Sequence, residues 1–463
     1  MIRPFFNNRG DRLSSALLAA LLALVMVLPR LTTAFFLLTV LVGLGALRLR
    51  DKPLRFVEEA RRGWKSIAPF GWAAIAYLGL NLLQFALGMA ESGVVERTVL
   101  GVAALAWALS GSPTRAGDIR VLLLPAAAIG TLGGAAYAAF QVFVQGAERA
   151  YGGLGIGPIG NGAIKFGDLA VLLSLLSLVL VVDARGARDR WFGFVGLVGG
   201  MTIVALSGSR GALIGFALAA AGLALATWQG RSRAARSRAA LGPGPVDVGA
   251  AAPLPARAPG VARAGAGASR TVAVVVVLLL SITTIALSAR FAEIGGQIQQ
   301  YEAGEAVNPT GQRLALWTAA LRSVPHAPLL GVGVNRFDLE IERQVLTGQV
   351  PDGMKILYRH VHNEYLCAWA TLGIGGLLSL TAMFVLPIFV SARRIARGRR
   401  DAATHAGLVV SIAFAGFALT DCLFDRQITF VVFFLLTAWL MRIGDVDTLQ
   451  EAAGPDLVAR QQR

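Results

Sequence analysis

The sequence predicts an all-α, polytopic integral membrane protein with about twelve transmembrane helices and one helical domain outside the membrane. Three observations predict it. Of 463 residues, 55% are hydrophobic and 15% charged, with a mean hydropathy of +0.63. Apolar runs long enough for a hydrocarbon core of roughly 30 Å recur along the whole length. The basic residues, finally, gather in alternate connections.

Taken in order, the expected spans are Leu13 to Leu28, Leu31 to Leu47, Ile67 to Leu87, Val99 to Leu109, Val121 to Phe143, Phe166 to Val182, Trp191 to Leu206 and Ala212 to Trp228. Thr271 to Leu287, Glu364 to Val390, Ala406 to Phe424 and Thr429 to Met441 complete the set. The first follows Arg9 and Arg12 without a small-x-small cleavage site behind it, so it reads as an uncleaved span. Residues 229–270, rich in Arg, Ala, Gly and Pro, can bury no face and read as a disordered cytoplasmic linker near anionic headgroups. This divides the chain into eight spans (1–228), the linker (229–270), the ninth span (271–287), an outer helical domain (288–362), three last spans (363–443) and a cytoplasmic tail (444–463).

The net charge of +16 raises the question of nucleic acid. With the N-terminus inside, 30 of the 43 Lys and Arg fall in cytoplasmic connections. The positive-inside rule accounts for that excess, and no nucleic-acid partner is needed.

In the outer domain, Leu314, Trp317 and Leu321 recur at helical spacing until Pro325, and Val334, Phe337, Ile341 and Val345 give a second stripe. Cys367 and Cys422 lie near the outer ends of successive antiparallel spans. A disulfide is sterically open to them, but two small buried residues is the favoured reading.

Chemistry is expected where cations meet outward helix N-termini: Lys165, Arg210, Arg426, and Arg313 in the first turn of the outer amphipathic helix. A cation at a positive helix end is unfavourable by roughly 0.3–1 kcal/mol. An anion bound among backbone N–H groups and guanidinium groups would justify the placement. Anchoring to headgroups is the competing explanation; it is weakest for Arg210, which sits in Ser207-Gly208-Ser209-Arg210-Gly211. His362, before the tenth span, is the candidate for proton transfer, with Asn363 to orient it or a substrate hydroxyl. His360 and His362 lack a third histidine or a spaced carboxylate to complete a metal site, so neither metal nor cofactor is expected. Asn161, in the Gly-rich loop before Lys165, reads equally well as a ligand contact and as part of a connector. His360, Trp317 and Arg336 complete the expected substrate contacts. Arginines and a histidine without a paired-carboxylate motif suit a transfer whose leaving group is already a diphosphate. A transporter would instead place charge deep within several spans, where this chain has almost none.

At these residues the chain resembles the O-antigen ligase and polymerase superfamily of bacterial envelope glycosyltransferases. The resemblance lies in Ser207 to Gly211, in Arg313 with Trp317, in Pro328-Leu-Leu-Gly331-Val-Gly333 followed by Phe337, and in His362-Asn363 with Leu366 leading to Gly373. It implies a GT-C-like multi-pass protein of the bacterial inner membrane, acting at its periplasmic face. An undecaprenyl-diphosphate-linked glycan would be the donor, its diphosphate held by the arginines, and the histidine would activate an acceptor hydroxyl without a metal. The acceptor would be lipid A-core for a ligase, a second lipid-linked glycan for a polymerase, or a protein hydroxyl for an O-oligosaccharyltransferase. One outer domain and twelve spans look most like the ligase.

Overall fold

The computed structural model of the chain describes residues 9–48, 53–110, 119–152, 162–240, 277, 281, 284–285, 288–303, 308–334, 336–350, 360–399 and 401–452. Among them the chain is helical with no strand. The helices are α1 (Arg9–Leu24), α2 (Thr32–Arg48), α3 (Pro53–Ala86), α4 (Gly93–Ser110), α5 (Leu124–Ala139, with a π turn at each end), α6 (Gly162–Val182), α7 (Ala187–Ser207), α8 (Arg210–Ala240), α9 (Ser288–Glu302), α10 (Pro309–Ser323), α11 (Phe337–Leu346), α12 (Glu364–Ala396), α13 (Ala402–Phe417) and α14 (Gln427–Ala452).

Among the described residues, six helices are long and apolar enough to cross a membrane: Gly63–Ala86, Ile119–Val144, Gly162–Val182, Ala187–Ser207, Arg210–Gln229 and Glu364–Ala396. Twelve were expected. Ser15–Leu24, Thr32–Val42, Ala402–Phe417 and Gln427–Ile443 are apolar but only 10–17 residues long. At 1.5 Å per residue they reach at most about 26 Å, short of the hydrocarbon thickness. Most of the ninth expected span, the linker beyond residue 240 and the tail beyond 452 lie outside the described residues. Residues 229–240, read as linker, continue α8 as helix instead. Arg and Ala are both strong helix formers, so propensity extends the helix past its apolar part.

Helix α6 is the axis of the bundle, nine-tenths buried, with α5, α7, α8 and α13 packed around it. Small residues permit the close approach to α7: a Cβ on Gly193 would lie 2.6 Å from the Ser177 carbonyl oxygen, and one on Gly200 1.7 Å from Ser174 Oγ. Outward, Trp72, Val99, Phe143 and Leu378 stay exposed, the apolar surface that a hydrocarbon solvent covers.

Helix α12 is broken at Gly373 (φ 70°), and the Pro328–Gly333 turn docks into the break. Val332 N–H donates to Ala370 O (2.8 Å), Gly333 N–H to Thr371 O (3.1 Å) and Ile374 N–H to Pro328 O (2.9 Å). The two glycines are required on both counts, since Gly331 (φ 69°) and Gly373 would place a Cβ 2.3 Å and 2.2 Å from the opposing backbone. Gln84 of α3, buried, staples this joint. Its amide donates to the Leu330 carbonyl and to Thr371 O (2.6 Å), and its oxygen accepts from Val334 N–H (2.8 Å). Gln84→Leu is therefore expected to cost about 2–4 kcal/mol, because it takes this partner from the Leu330 carbonyl and the Val334 N–H at once, while Thr371 O keeps the Gly333 N–H. The check is a lowered Tm in detergent; an unchanged Tm would mean that the joint holds without the staple.

Helix α10 faces α12 with Ala315, Leu316, Ala319 and Ala320, which share a second core with Phe337, Ile341 and Val345 of α11. The expected stripe of Leu314, Trp317 and Leu321 is displaced: Leu321 is 49% exposed and Trp317 flanks the core. Alanines on the inner face bring α10 close enough to present Arg313 beside the ends of α6, α8 and α12.

Candidate functional site

Three helix starts meet at one end of the bundle. Gly208 (φ 64°) terminates α7, with its N–H on Val204 O at 3.0 Å. Ser209 Oγ accepts the Ala212 N–H at 3.4 Å and opens α8, so Arg210 is its first helical residue. Gly167 of α6 lies against this turn, where a Cβ would come within 2.5 Å of Ser209. Gly211 lies as close to Thr420.

Between these starts and the outer helices lies a cavity of about 290 Å³. Arg149, Arg210, Arg313 and His362 line it, together with Ser209, Thr420, Gln297, Gln312 and Glu293. Arg149 Nε donates to Ser207 O (2.8 Å), which binds the loop after α5 to the end of α7. Asn308 caps α10, its side chain accepting from Gly311 N–H at 2.7 Å, so Arg313 stands one turn into that helix. Three guanidinium groups and the N-terminus of α8 thus border one space, with Glu293 as the carboxylate among its lining residues, an arrangement whose charge and N–H groups suit an anion.

His362 is buried and takes φ 55°, the single positive φ at a non-glycine among the described residues. Left-handed backbone costs a side-chain-bearing residue about 1–2 kcal/mol, so its surroundings hold it there. Its Nδ1 faces Asp421 Oδ1 at 3.3 Å. With a carboxylate there, Nδ1 carries the proton and donates, leaving the Nε2 lone pair as the basic position.

Asp421 lies in the 418–426 connection. The sequence placed Asp421 in a span ending at Phe424, but α13 stops at Phe417 and the connection folds back over α12. Glu364 N–H donates to Ala418 O (2.8 Å), Asn363 Nδ2 to Leu419 O (3.1 Å), Phe424 N–H to Glu364 Oε2 (3.2 Å) and Arg97 Nη1 to Phe424 O (2.6 Å). Burial pushes the Asp421 carboxyl up, but the Lys165 ammonium and hydrogen bonds from His362 and Lys165 outweigh it and hold it at about 2.

Of the residues expected at the site, Arg210, Arg313 and His362 come together in the cavity. Lys165 does not line it. It is buried, with Nζ 2.6 Å from Asp421 Oδ2 and 3.1 Å from Asp425 Oδ1 and a hydrogen bond to the Cys422 carbonyl, so its ammonium is ion-paired inside the protein. Asn363 caps α12, its Oδ1 accepting Leu366 N–H at 3.0 Å. His360 Nε2 pairs with Asp425 Oδ2 at 3.4 Å, and burial pushes its imidazole below the ordinary value against the pull of Asp425. Arg426 is exposed, 3.7 Å from Asp425, and Arg336 donates to the Gly88 carbonyl. Trp317 is part of the α10–α11 packing. Asn161 lies outside the described residues.

Arg149 and the role of Asp421 escape sequence reading. Arg149 sits in a connector without a motif. Asp421 and Asp425 stand out only as two carboxylates four apart in an apolar stretch.

Residues 192–381 match the family described as O-antigen ligase. An uncharacterized protein of Haemophilus influenzae is 30% identical over 79 residues, 17% of this chain and 20% of that protein, so the chain covers about a fifth of the relative's length. Arg210, Arg313, the Gly331–Gly373 joint and His362 all fall within the family match. Over residues 192–381, somewhat less than half of its length, the chain is similar to the O-antigen ligase family.

Proposed function

We propose that this protein is an O-antigen ligase, a glycosyltransferase of the bacterial inner membrane that moves an undecaprenyl-diphosphate-linked polysaccharide onto a sugar hydroxyl of lipid A-core at the periplasmic face. The observation that carries this reading is the single cavity shared by Arg149, Arg210, Arg313 and His362. A diphosphate placed among the arginines puts its anomeric C–O bond toward His362. The acceptor oxygen attacks the anomeric carbon from the opposite face, the bond to phosphate breaks, and the acceptor proton passes to Nε2. The arginines stabilise charge that grows on the leaving diphosphate, the kind of preorganised stabilisation worth about 2.7–4 kcal/mol per donor. The displacement inverts configuration, and the three guanidinium groups take the place a metal holds in other diphosphate chemistry.

The test is reconstitution: purified protein, an undecaprenyl-diphosphate glycan and lipid A-core in EDTA, with the mobility of both lipids read on gels. Glycan on lipid A-core is expected. Glycan lengthening on the carrier lipid would replace the ligase reading by a polymerase using the same cavity. Dependence on an added divalent metal would overturn the metal-independent step.

A further inference from the structure

Helix α9 packs on α10 and gives the cavity two residues, Glu293 and Gln297, one turn apart on one face. Side chains pin it there. Thr310 Oγ1 donates to Gln297 Oε1, and Asn308 Nδ2 donates to Gln297 O (3.1 Å) and to Gln300 Oε1 (3.0 Å). Glu293 is held by none of this: its exposed carboxylate has no hydrogen-bond or ion-pair partner among the described residues, although three arginines border the same cavity. Gly296 follows Glu293 by three residues and flanks this face, where a Cβ would meet no atom within 4 Å. Packing therefore does not ask for glycine there, and glycine inside a helix destabilises it. Bare backbone beside a free carboxylate leaves room for a ligand to lie close.

We propose that Glu293 binds the acceptor saccharide, its two carboxylate oxygens accepting from neighbouring hydroxyls while the ring lies along α9 at Gly296. The inference rests on the proposed function and names the wall of its cavity that takes the acceptor. A diphosphate is repelled by a carboxylate, so the leaving group belongs with the arginines on the loop after α5, on α8 and on α10. What Glu293 can serve is a neutral donor of hydrogen bonds, and adjacent sugar hydroxyls match its two oxygens. In the displacement the acceptor enters from the face opposite the diphosphate, which puts it on the carboxylate's side. Glu293 orients the sugar, and the proton still passes to His362.

The experiment measures acceptor KM and donor KM separately for the full-length protein in nanodiscs, with lipid A-core as acceptor and an undecaprenyl-diphosphate glycan as donor. Glu293→Gln is expected to raise acceptor KM about tenfold or more and to leave donor KM within about twofold. Gly296→Ala favours the helix yet should also raise acceptor KM, whereas Gly295→Ala, on the reverse side of α9, should not. An unchanged acceptor KM in Glu293→Gln, or an equal rise in both KM values, overturns the proposal. If glycan lengthens on the carrier lipid instead, the ligase reading fails, and KM for that glycan as acceptor decides Glu293. Transfer to neither lipid fails the proposed function as a whole. Binding of a core oligosaccharide freed of lipid A and of phosphate then decides the subsite: weaker binding to Glu293→Gln sustains it, and equal Kd values overturn it.

Discussion

His362→Gln is expected to lower glycan transfer by about 10²- to 10⁴-fold, the range for losing a positioned general base. An acceptor sugar hydroxyl is a poor nucleophile until its proton has somewhere to go. Among the groups lining the cavity, His362 is the imidazole, and its Nδ1 contact with Asp421 turns the other ring nitrogen into the acceptor. Glutamine keeps similar bulk and hydrogen-bonding capacity but has no basic lone pair. His362→Gly adds a second reading. It removes the base and also relieves the left-handed backbone at φ 55°, a relief of about 1 kcal/mol or more. The glycine variant should thus stay folded while transfer is lost, which separates chemistry from architecture. The measurement is kcat at saturating donor and acceptor, with Tm alongside. Transfer within threefold of the parent in the glutamine variant would remove His362 from the reaction.

The parts of this site that are local in sequence were legible. Ser207–Gly211 announces a helix end, a cap and a cation at a helix start, and the structure places Arg210 there for those reasons. His362-Asn363 announces the start of α12, and Asn363 caps it. The glycine-rich turn at Pro328–Gly333 reads as a turn. That it fills a break in α12 does not follow from the sequence, because the partner glycine lies forty residues on inside an otherwise helical apolar run. Helix ends were hard to read for a related reason: hydropathy marks apolar segments without saying where a polar tertiary contact lies beyond the helix. Asp421 is such a contact. Lys165 meets it across more than half the chain, in the connection beyond the end of α13, so the lysine is held in an ion pair and does not line the cavity of the arginines.

Lys165→Ala is expected to destabilise the protein by about 3–5 kcal/mol at pH 8, because it strands Asp421, a buried carboxylate, beside Asp168 and Asp425. The pH dependence should identify the cause. In the parent, Asp421 is held at about 2, below the ~3.9 of an unfolded chain. Its contribution to stability is therefore present above about pH 4 and lost only as pH falls through the folded value, so it is flat between pH 5 and 8. Without Lys165, burial outweighs the remaining pull of His362 and raises the folded value above the unfolded one. Stability is then full below about pH 4 and is lost as pH rises through the raised folded value. The gap in Tm between parent and variant should accordingly be wider at pH 8 than at pH 5, a comparison in which other titrating groups largely cancel. Pairing Lys165→Met with Asp421→Leu removes both charges in similar volume and should recover most of the stability. Transfer should stay low, since His362 no longer has a carboxylate to set its tautomer. A double variant that regains transfer along with stability would reduce the buried pair to a packing element, and one that regains neither would mean that Asp425 and His360 depend on Lys165 as well.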